Sequence, residues 1–507
     1  MTSESPSCYL GPHHDKLNVI QIMMDQLPFD ALGCYGHPLA KTPNLDALAA
    51  GGARFTNAYA QSTVCCPSRA SQLSGLYPSN HGITSNMNNL EIMNPQVRLL
   101  SDHFHDEGYA TAHFGKWHCL RPHQDCRWTE FRFLEESIPI WPQHDIEEVY
   151  GTDNVLSYGP LVHAAKHPCN ADHTGPALIT DWSIDFIQRF AYHPFFLRVS
   201  YLGPHAPVLT PVPYDTMYDP DNIELPDYAL EEFANRPEIV RAFQGSALRV
   251  RDETPEDMTP EQAIRAHIAH NLGLISHIDD QIGRIIDTVQ AVGIEGQTVV
   301  VFTTDHGGFW GEHGLLEKSG FTHYRRLLQL PLIVSCPDTI PAGQTYDGLI
   351  EEIDIYPTLL DLVGIAPTTR INGRSFKNAV LGGPDPGRPD VFAEFLANGH
   401  VTTSLRTHRW LFIQHAPSGE VELYDLVADP NERHNLSDNP THQETIAEMQ
   451  GRLLNRVMVN RDVELLPPED AIQRSPIYLT PGHDARAHEK ALIQRYRGNR
   501  EVPEFPD

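Results

Sequence analysis

Apolar runs that end in a carboxylate punctuate this chain. Residues 17–25, LNVIQIMMD, are nearly continuous in hydrophobic character and close on Asp25. That pattern predicts a strand buried on both faces, as in a parallel sheet, with Asp25 at its C-terminal tip. TVVVFTTD (298–305) repeats it and closes on Asp305, and PFFLRVSYL (194–202) is a buried strand that runs into GPHAP. ARFTNAYA (53–60), YATAHF (109–114) and LPLIVS (330–335) also read as strands. Helical patterns lie between them. TPNLDALAAGG (42–52) has Thr42 as N-cap, Pro43 in the first turn and glycines at its stop; SRASQLSGL (68–76) starts just after Pro67. Further helices are expected at 96–107, 177–192, 261–293 and 353–364.

Strands alternating with helices predict an α/β sandwich around a central, mostly parallel sheet flanked by helices. Ligands of such sheets sit beyond the carboxyl ends of the strands. Asp25, His205 and Asp305 all fall there, far apart in sequence. After about residue 385 the texture changes: VTTSLRTHRWLFIQ and EVELYDL read as antiparallel strands, followed by a helix near 440–457. The expected organisation is an α/β domain over 1–385, a smaller C-terminal antiparallel subdomain over 386–460, and an extended tail over 461–507. Residues 119–175, rich in Pro, His and Asp, read as loops or an insertion near the site. The tail is expected to wrap either a partner, as in a homo-oligomer, or the chain's own surface.

Composition narrows the partners. The chain has 507 residues and a formal net charge of −29, which argues against nucleic acid and anionic membranes. No run of about 18 apolar residues suggests a membrane span. The N-terminal MTSESPSCYLGPHHDKLN has no apolar core of a secretory signal, so a cytoplasmic location is expected, a trimmed leader being the alternative. Eight cysteines without a CxxC pair in a chain of this length point to reduced thiols, not a disulfide framework or a structural zinc site. An anionic substrate would need local positive charge to overcome the acidic global field.

One stretch concentrates candidate chemistry: VCCPSR (64–69). Adjacent cysteines are often just small buried hydrophobes; a cysteine nucleophile is the other reading, and it would want a base nearby. The wider stretch CCPSRASQLSGLYPSNHG resembles the signature of the type I sulfatases of the alkaline phosphatase superfamily, Cys-x-Pro-Ser-Arg-x-x-x-Leu-Thr-Gly. Cys65, Pro67, Ser68, Arg69, Leu73 and Gly75 match, and Ser74 replaces the threonine. The resemblance extends from about 17 to 460. It takes in DALGCYGHPLAKTPNLDALAAGGARFTNAYA, GYATAHFGKWH (108–118), GPHAP and TTDHGGFWGEHGLLEK.

That resemblance implies an alkaline-phosphatase-like sandwich and hydrolysis of sulfate monoesters to an alcohol and sulfate. It implies that a maturation enzyme oxidises Cys65 to formylglycine, whose hydrate attacks sulfur with one hydroxyl and expels sulfate with the other. Asp25, Gln26, Cys65, Asp305 and His306 would hold one divalent cation. The family default is Ca²⁺, suited to the oxygen donors; Mg²⁺ fits them too, and the His306 nitrogen suits Mn²⁺. Arg69 would neutralise a diol oxygen, with the helix N–H groups facing the anion. Lys116 would hold sulfate, His118 would orient the diol, and His205 and Lys318 would face the leaving oxygen. Taken singly, each has a plain reading: strand-end caps for Asp25 and Asp305, a loop histidine for His205, a solvated lysine for Lys318, and a charged strand end for Lys116 and His118. His313, His323 and His400 have no matching role.

Two departures bear on specificity. Gln26 and His306 stand where many members have Asp and Asn, a pairing shared with phosphonate monoester hydrolases and choline sulfatases. The Lys116-Trp117-His118 run favours a sulfate monoester over a phosphonate or phosphodiester, which is the alternative. Arg325 and Arg326 replace two acids; they either lie on the surface in salt bridges or point inward to a second anionic group.

Overall fold

A computed structural model of the chain describes residues 16–86, 93–94, 96–119, 126–133, 164–167, 169–226, 236–242, 247–250, 254 and 258–460. The main elements, in chain order, begin with β1 (Asn18–Asp25), α1 (Pro43–Ala50), β2 (Ala53–Tyr59) and α2 (Cys65–Ser74). Next come α3 (Leu100–Asp106), β3 (Ala110–Gly115), β4 (Glu130–Phe133), α4 (Gly175–Phe190), β5 (Phe195–Pro204) and α5 (Pro260–Ala291). Then follow β6 (Thr298–Thr304), β7 (Gln329–Ser335), β8 (Gln344–Tyr346) and α6 (Ile355–Leu362). The last are β9 (Val391–Ala397), β10 (His400–Arg406), β11 (Trp410–Ala416), β12 (Val421–Asp425) and α7 (Gln443–Asn460).

Among the described residues the central sheet has nine strands, ordered β8-β2-β7-β6-β1-β5-β3-β4, with the two-residue strand Ile350–Glu351 also on β2. β1 runs parallel to both β5 and β6, and β3 runs parallel to β5 and β4. Only β7 among these neighbours runs against them, pairing antiparallel with β6 and β2. The strand period of two sorts β1 cleanly. Ile20, Ile22 and Met24 join the core under α1, α4 and α5. Val19 joins the opposite core, under α2, α3 and α6. Asp25 shares the face of Val19, so it tips toward α2.

Two local expectations change. Helix α2 starts at Cys65, three residues ahead of the expected start. Pro67 lies inside its first turn, which tolerates proline because N–H groups there have no helical acceptor. The Thr42 side chain does not cap α1. Asp279 of α5 caps it instead, accepting from the N–H groups of Asn44 (3.0 Å) and Leu45 (2.9 Å). Part of the stretch read as loops, Glu130–Phe133, is the sheet's edge strand. Residues 120–125, 134–163, 168 and the 461–507 tail lie outside the described residues.

β9–β12 form a separate four-stranded antiparallel sheet. It is tied to the segment after Lys318 by a fully buried polar knot. Glu422 accepts from Tyr324 Oη (2.8 Å) and Tyr424 Oη (2.5 Å), and His415 Nε2 lies 3.0 Å away. Burial pushes the Glu422 carboxyl up, but His415, Arg236 and Tyr424 outweigh it and hold it at about 2. A depressed carboxyl stabilises the fold above its unfolded value of 4.5 and loses that contribution as pH falls through about 2. Glu422→Gln should therefore cost about 3 kcal/mol at neutral pH. The loss, read from urea melts, should shrink at acid pH.

Candidate active site

The site assembles where β1 and β6 end side by side. Their parallel register continues to Met24 opposite Thr304, which places Asp25 and Asp305 at adjacent tips. Across from them, α2 presents its first residue, Cys65. The thiol Sγ lies 3.1 Å from His306 Nε2, 3.4 Å from Lys318 Nζ, 3.6 Å from Lys116 Nζ and 3.7 Å from Asp25 Oδ1. His118 also hydrogen-bonds it. Burial pushes this thiol up, but Lys116, Lys318 and His306 outweigh burial and hold it well below the ordinary range. Cys66, its neighbour, is the inert one: burial pushes its thiol up, and its N–H donates to Asn86.

Arg69 is buried one turn behind Cys65. It donates to Asp305 Oδ2 (2.8 Å), Asp25 Oδ2 (2.8 Å), Ser200 Oγ (2.8 Å) and the Lys116 carbonyl (3.0 Å). A guanidinium fork suits that double carboxylate geometry. Its contacts therefore lock the two aspartates rather than reaching a Cys65-derived oxygen. Lys116 rests 2.5 Å from Asp25 Oδ2. It is placed there by Gly115, where φ is +103° and a Cβ would meet the Ser200 carbonyl oxygen at 1.9 Å. The helix N-terminus contributes less than expected. Pro67 has no N–H, that of Cys66 goes to Asn86, and that of Ser68 goes to the Val64 carbonyl. The positive field comes from side chains.

Asp25, Cys65, Asp305 and His306 place one donor atom each within 4.8 Å of one another, all buried. The donor chemistry fits a divalent cation. Burial pushes the Asp305 carboxyl up, yet His306 and Arg69 outweigh it and hold it below the usual range. His306 Nδ1 lies 2.8 Å from the Gly307 carbonyl, so Nδ1 carries a proton and Nε2 faces the cluster, where giving up its own proton would leave a lone pair for a cation. Gln26 Oε1 faces the same volume, since Lys318 Nζ lies 2.6 Å from it and also contacts Cys65. His205 holds its Nδ1 2.5 Å from the Ala206 carbonyl, and it lies close enough to Glu317 to help hold that carboxyl down.

Sequence reasoning missed Glu317. This half-buried carboxylate accepts from Gln26 Nε2 (2.7 Å), which fixes the amide so that its oxygen faces Lys318. Gln26, His118 and Glu317 adopt left-handed backbone, with φ of 60°, 41° and 65°. Non-glycine residues rarely do so without surrounding contacts that compel it. Nothing local marks Glu317 beyond its place before Lys318. Glu317→Ala should lower kcat/KM about 10- to 100-fold with the melting temperature little changed. Arg326 is a buried ion-pair residue that reaches the half-exposed Asp30 and Glu312 and stacks over Trp310. Arg325 stacks over Phe29. His323 bonds Ser404 Oγ, and burial pushes it down to about 3. His313 packs on Tyr324 and Phe309, and His400 on Phe321.

Fold and site together define a hydrolase of the alkaline phosphatase superfamily. Residues 17–365 match the Sulfatase family, and 311–458 match the C-terminal region of N-sulphoglucosamine sulphohydrolase. The chain belongs to the sulfatase family and is a sulfuric ester hydrolase. It is 27% identical over 459 residues to an arylsulfatase of Clostridium perfringens, covering 85% of this chain and 92% of the relative. A choline-sulfatase of Rhizobium meliloti is 28% identical, covering 84% and 83%. Among solved structures, a phosphonate monoester hydrolase from Silicibacter pomeroyi superposes with a TM-score of 0.78 at 24% identity, over 89% of this chain and 97% of that one. No helix among the described residues is long and apolar enough to cross a membrane.

Proposed function

We propose that this chain hydrolyses sulfate monoesters with a formylglycine made from Cys65 by a maturation enzyme, beside one divalent cation. The observation that carries this is the convergence of the Lys116 and Lys318 ammoniums and His306 on a fully buried Cys65 Sγ, within the four-residue donor cluster. When present, the hydrated aldehyde supplies the nucleophile and the cation, Ca²⁺ by its hard oxygen donors, offsets charge on the sulfate. Asp25, Asp305, His306 and the Gln26 carbonyl would hold the cation, and Arg69 fixes both carboxylates. Lys116 and Lys318 offer sulfate oxygens one buried and one half-buried ammonium in a water-poor site, where each is worth more than in bulk solvent. His118, bonded at position 65, would orient the diol and take the proton of its second hydroxyl as sulfate is expelled. His205 donates from Nε2 to the leaving oxygen. These cations also supply the local positive charge that the acidic chain requires for an anionic substrate.

A phosphonate monoester or phosphodiester hydrolase is the second reading, supported by the Gln26–His306 pairing. Against it stands the position of Lys116 and His118 at Cys65, where a second substituent on phosphorus would need room. The two readings separate in one assay. Protein co-expressed with a maturation enzyme should give a kcat/KM for an aryl sulfate at least about tenfold above that for the matching aryl phosphonate monoester, with Ca²⁺ or with Mn²⁺. A ratio favouring the phosphonate would promote the second reading.

A further inference from the structure

Glu352 is fully buried behind the site, in the turn that leads into α6. Its Oε1 accepts from the Gln61 N–H at 2.9 Å. Its Oε2 lies 3.1 Å from Gln72 Nε2 and 2.8 Å from Ser68 Oγ. Ser68 Oγ in turn lies 2.6 Å from the main-chain carbonyl of Asp305.

Counting protons decides the state of this chain. A serine hydroxyl has one hydrogen to give. The Asp305 carbonyl can only accept, and its contact is the shorter one, so the Ser68 hydrogen lies there. The 2.8 Å contact to Glu352 is then a hydrogen bond only if the carboxyl supplies the hydrogen. A carboxylate would set two lone pairs against each other in a dry interior. Surrounding charges agree. Burial pushes the Glu352 carboxyl well up, Asp305 pushes it the same way, and the Gln61 and Gln72 donors do not overcome them. Arg198 is the buried cation that feels Glu352, and it makes no ion pair with it among the described residues.

We propose that Glu352 is a neutral carboxylic acid that donates to Ser68, which donates to the Asp305 carbonyl, making Glu352 a positioning residue for the Asp305–His306 turn. The positioning half rests on the reading of that turn as the metal site; the proton does not. The relay ties the helix that starts at Cys65 to the strand tip that carries the cation ligands. A second carboxylate charge behind Asp305 is thereby avoided.

Two measurements on the full chain test this. Infrared difference spectra of wild type minus Glu352→Gln, at a pH where exposed carboxyls are ionised, should show a protonated-carboxyl C=O band. An empty difference spectrum would overturn the proton. Calorimetric titration with CaCl₂, repeated with MnCl₂, reads the positioning. Glu352→Ala and Ser68→Ala should weaken the cation about 10- to 100-fold. Glu352→Gln, whose amide can donate to Ser68 at the loss of the longer Gln72 contact, should stay within about threefold. Should Glu352→Ala not fold, Ser68→Ala carries the test, and unchanged affinity there would overturn the relay. Wild type that binds neither ion would overturn the metal reading, and with it the positioning role, while the infrared band still reports the proton.

Discussion

Cys65→Ser protein should fold as the wild type does and turn over no sulfate ester. The side chain is fully buried among Lys116, Lys318, His306 and His118, groups that can hydrogen-bond a hydroxyl as readily as a thiol. Stability should therefore change by less than about 1 kcal/mol. Steady-state kcat/KM should fall on the order of 10⁴-fold or more, as when any nucleophile acting in a concerted set is removed. The introduced hydroxyl can still attack sulfur once, but it has no second hydroxyl through which to expel sulfate. Mass spectrometry of the variant after incubation with an aryl sulfate should find the peptide around position 65 carrying sulfate. Cys65→Ala should lose the same turnover without that adduct. Wild-type protein matured in the host should show an aldehyde in place of the thiol in the same peptide. A fully active enzyme with an intact thiol would end the formylglycine reading.

The sheet was legible because its chemistry is written at strand ends. LNVIQIMMD and TVVVFTTD each combine a buried run with a terminal carboxylate, and β1 and β6 do lie side by side with Asp25 and Asp305 at their tips. The VCCPSR stretch, the Lys116–His118 run and Lys318 were legible as motifs, and Lys116, His118 and Lys318 do reach Cys65. What stayed hidden depends on partners distant in sequence. The cap of α1 is Asp279, 235 residues from Asn44, so Thr42 looked sufficient. The start of α2 was read from Pro67, because proline usually opens a helix; here it lies inside the first turn. Arg69 reads as an anion-binding arginine until its four contacts show it serving two aspartates. Glu317 and Glu352 are ordinary acids in sequence and acquire roles only from Gln26 and Ser68 brought beside them.

Asp305→Asn should remove cation binding and destabilise the fold by separable amounts. Asp305 Oδ2 accepts from Arg69 Nε, while Oδ1 accepts from the main-chain N–H groups of Gln26 (3.1 Å) and His306 (2.9 Å). An amide cannot serve both sides. Whichever way it is turned, its NH₂ faces a donor, and one charge that balances Arg69 is gone. Breaking a buried pair of this kind costs about 3–5 kcal/mol, and that loss should appear in chelator-treated protein, where no cation contributes. A second loss appears only with the cation. Wild-type stability should rise with added Ca²⁺ as mass action requires, by about 2.7 kcal/mol at 100 times its dissociation constant. The variant should show no such rise over the same range, and its kcat/KM should fall on the order of 10³-fold. Arg69→Lys isolates the first loss: it keeps the positive charge and both carboxylates but removes the fork, so it should destabilise the chelated protein while leaving a Ca²⁺-dependent rise. If Asp305→Asn retains the full Ca²⁺-dependent rise, Asp305 holds no cation, and its place at the strand tip serves only to anchor Arg69.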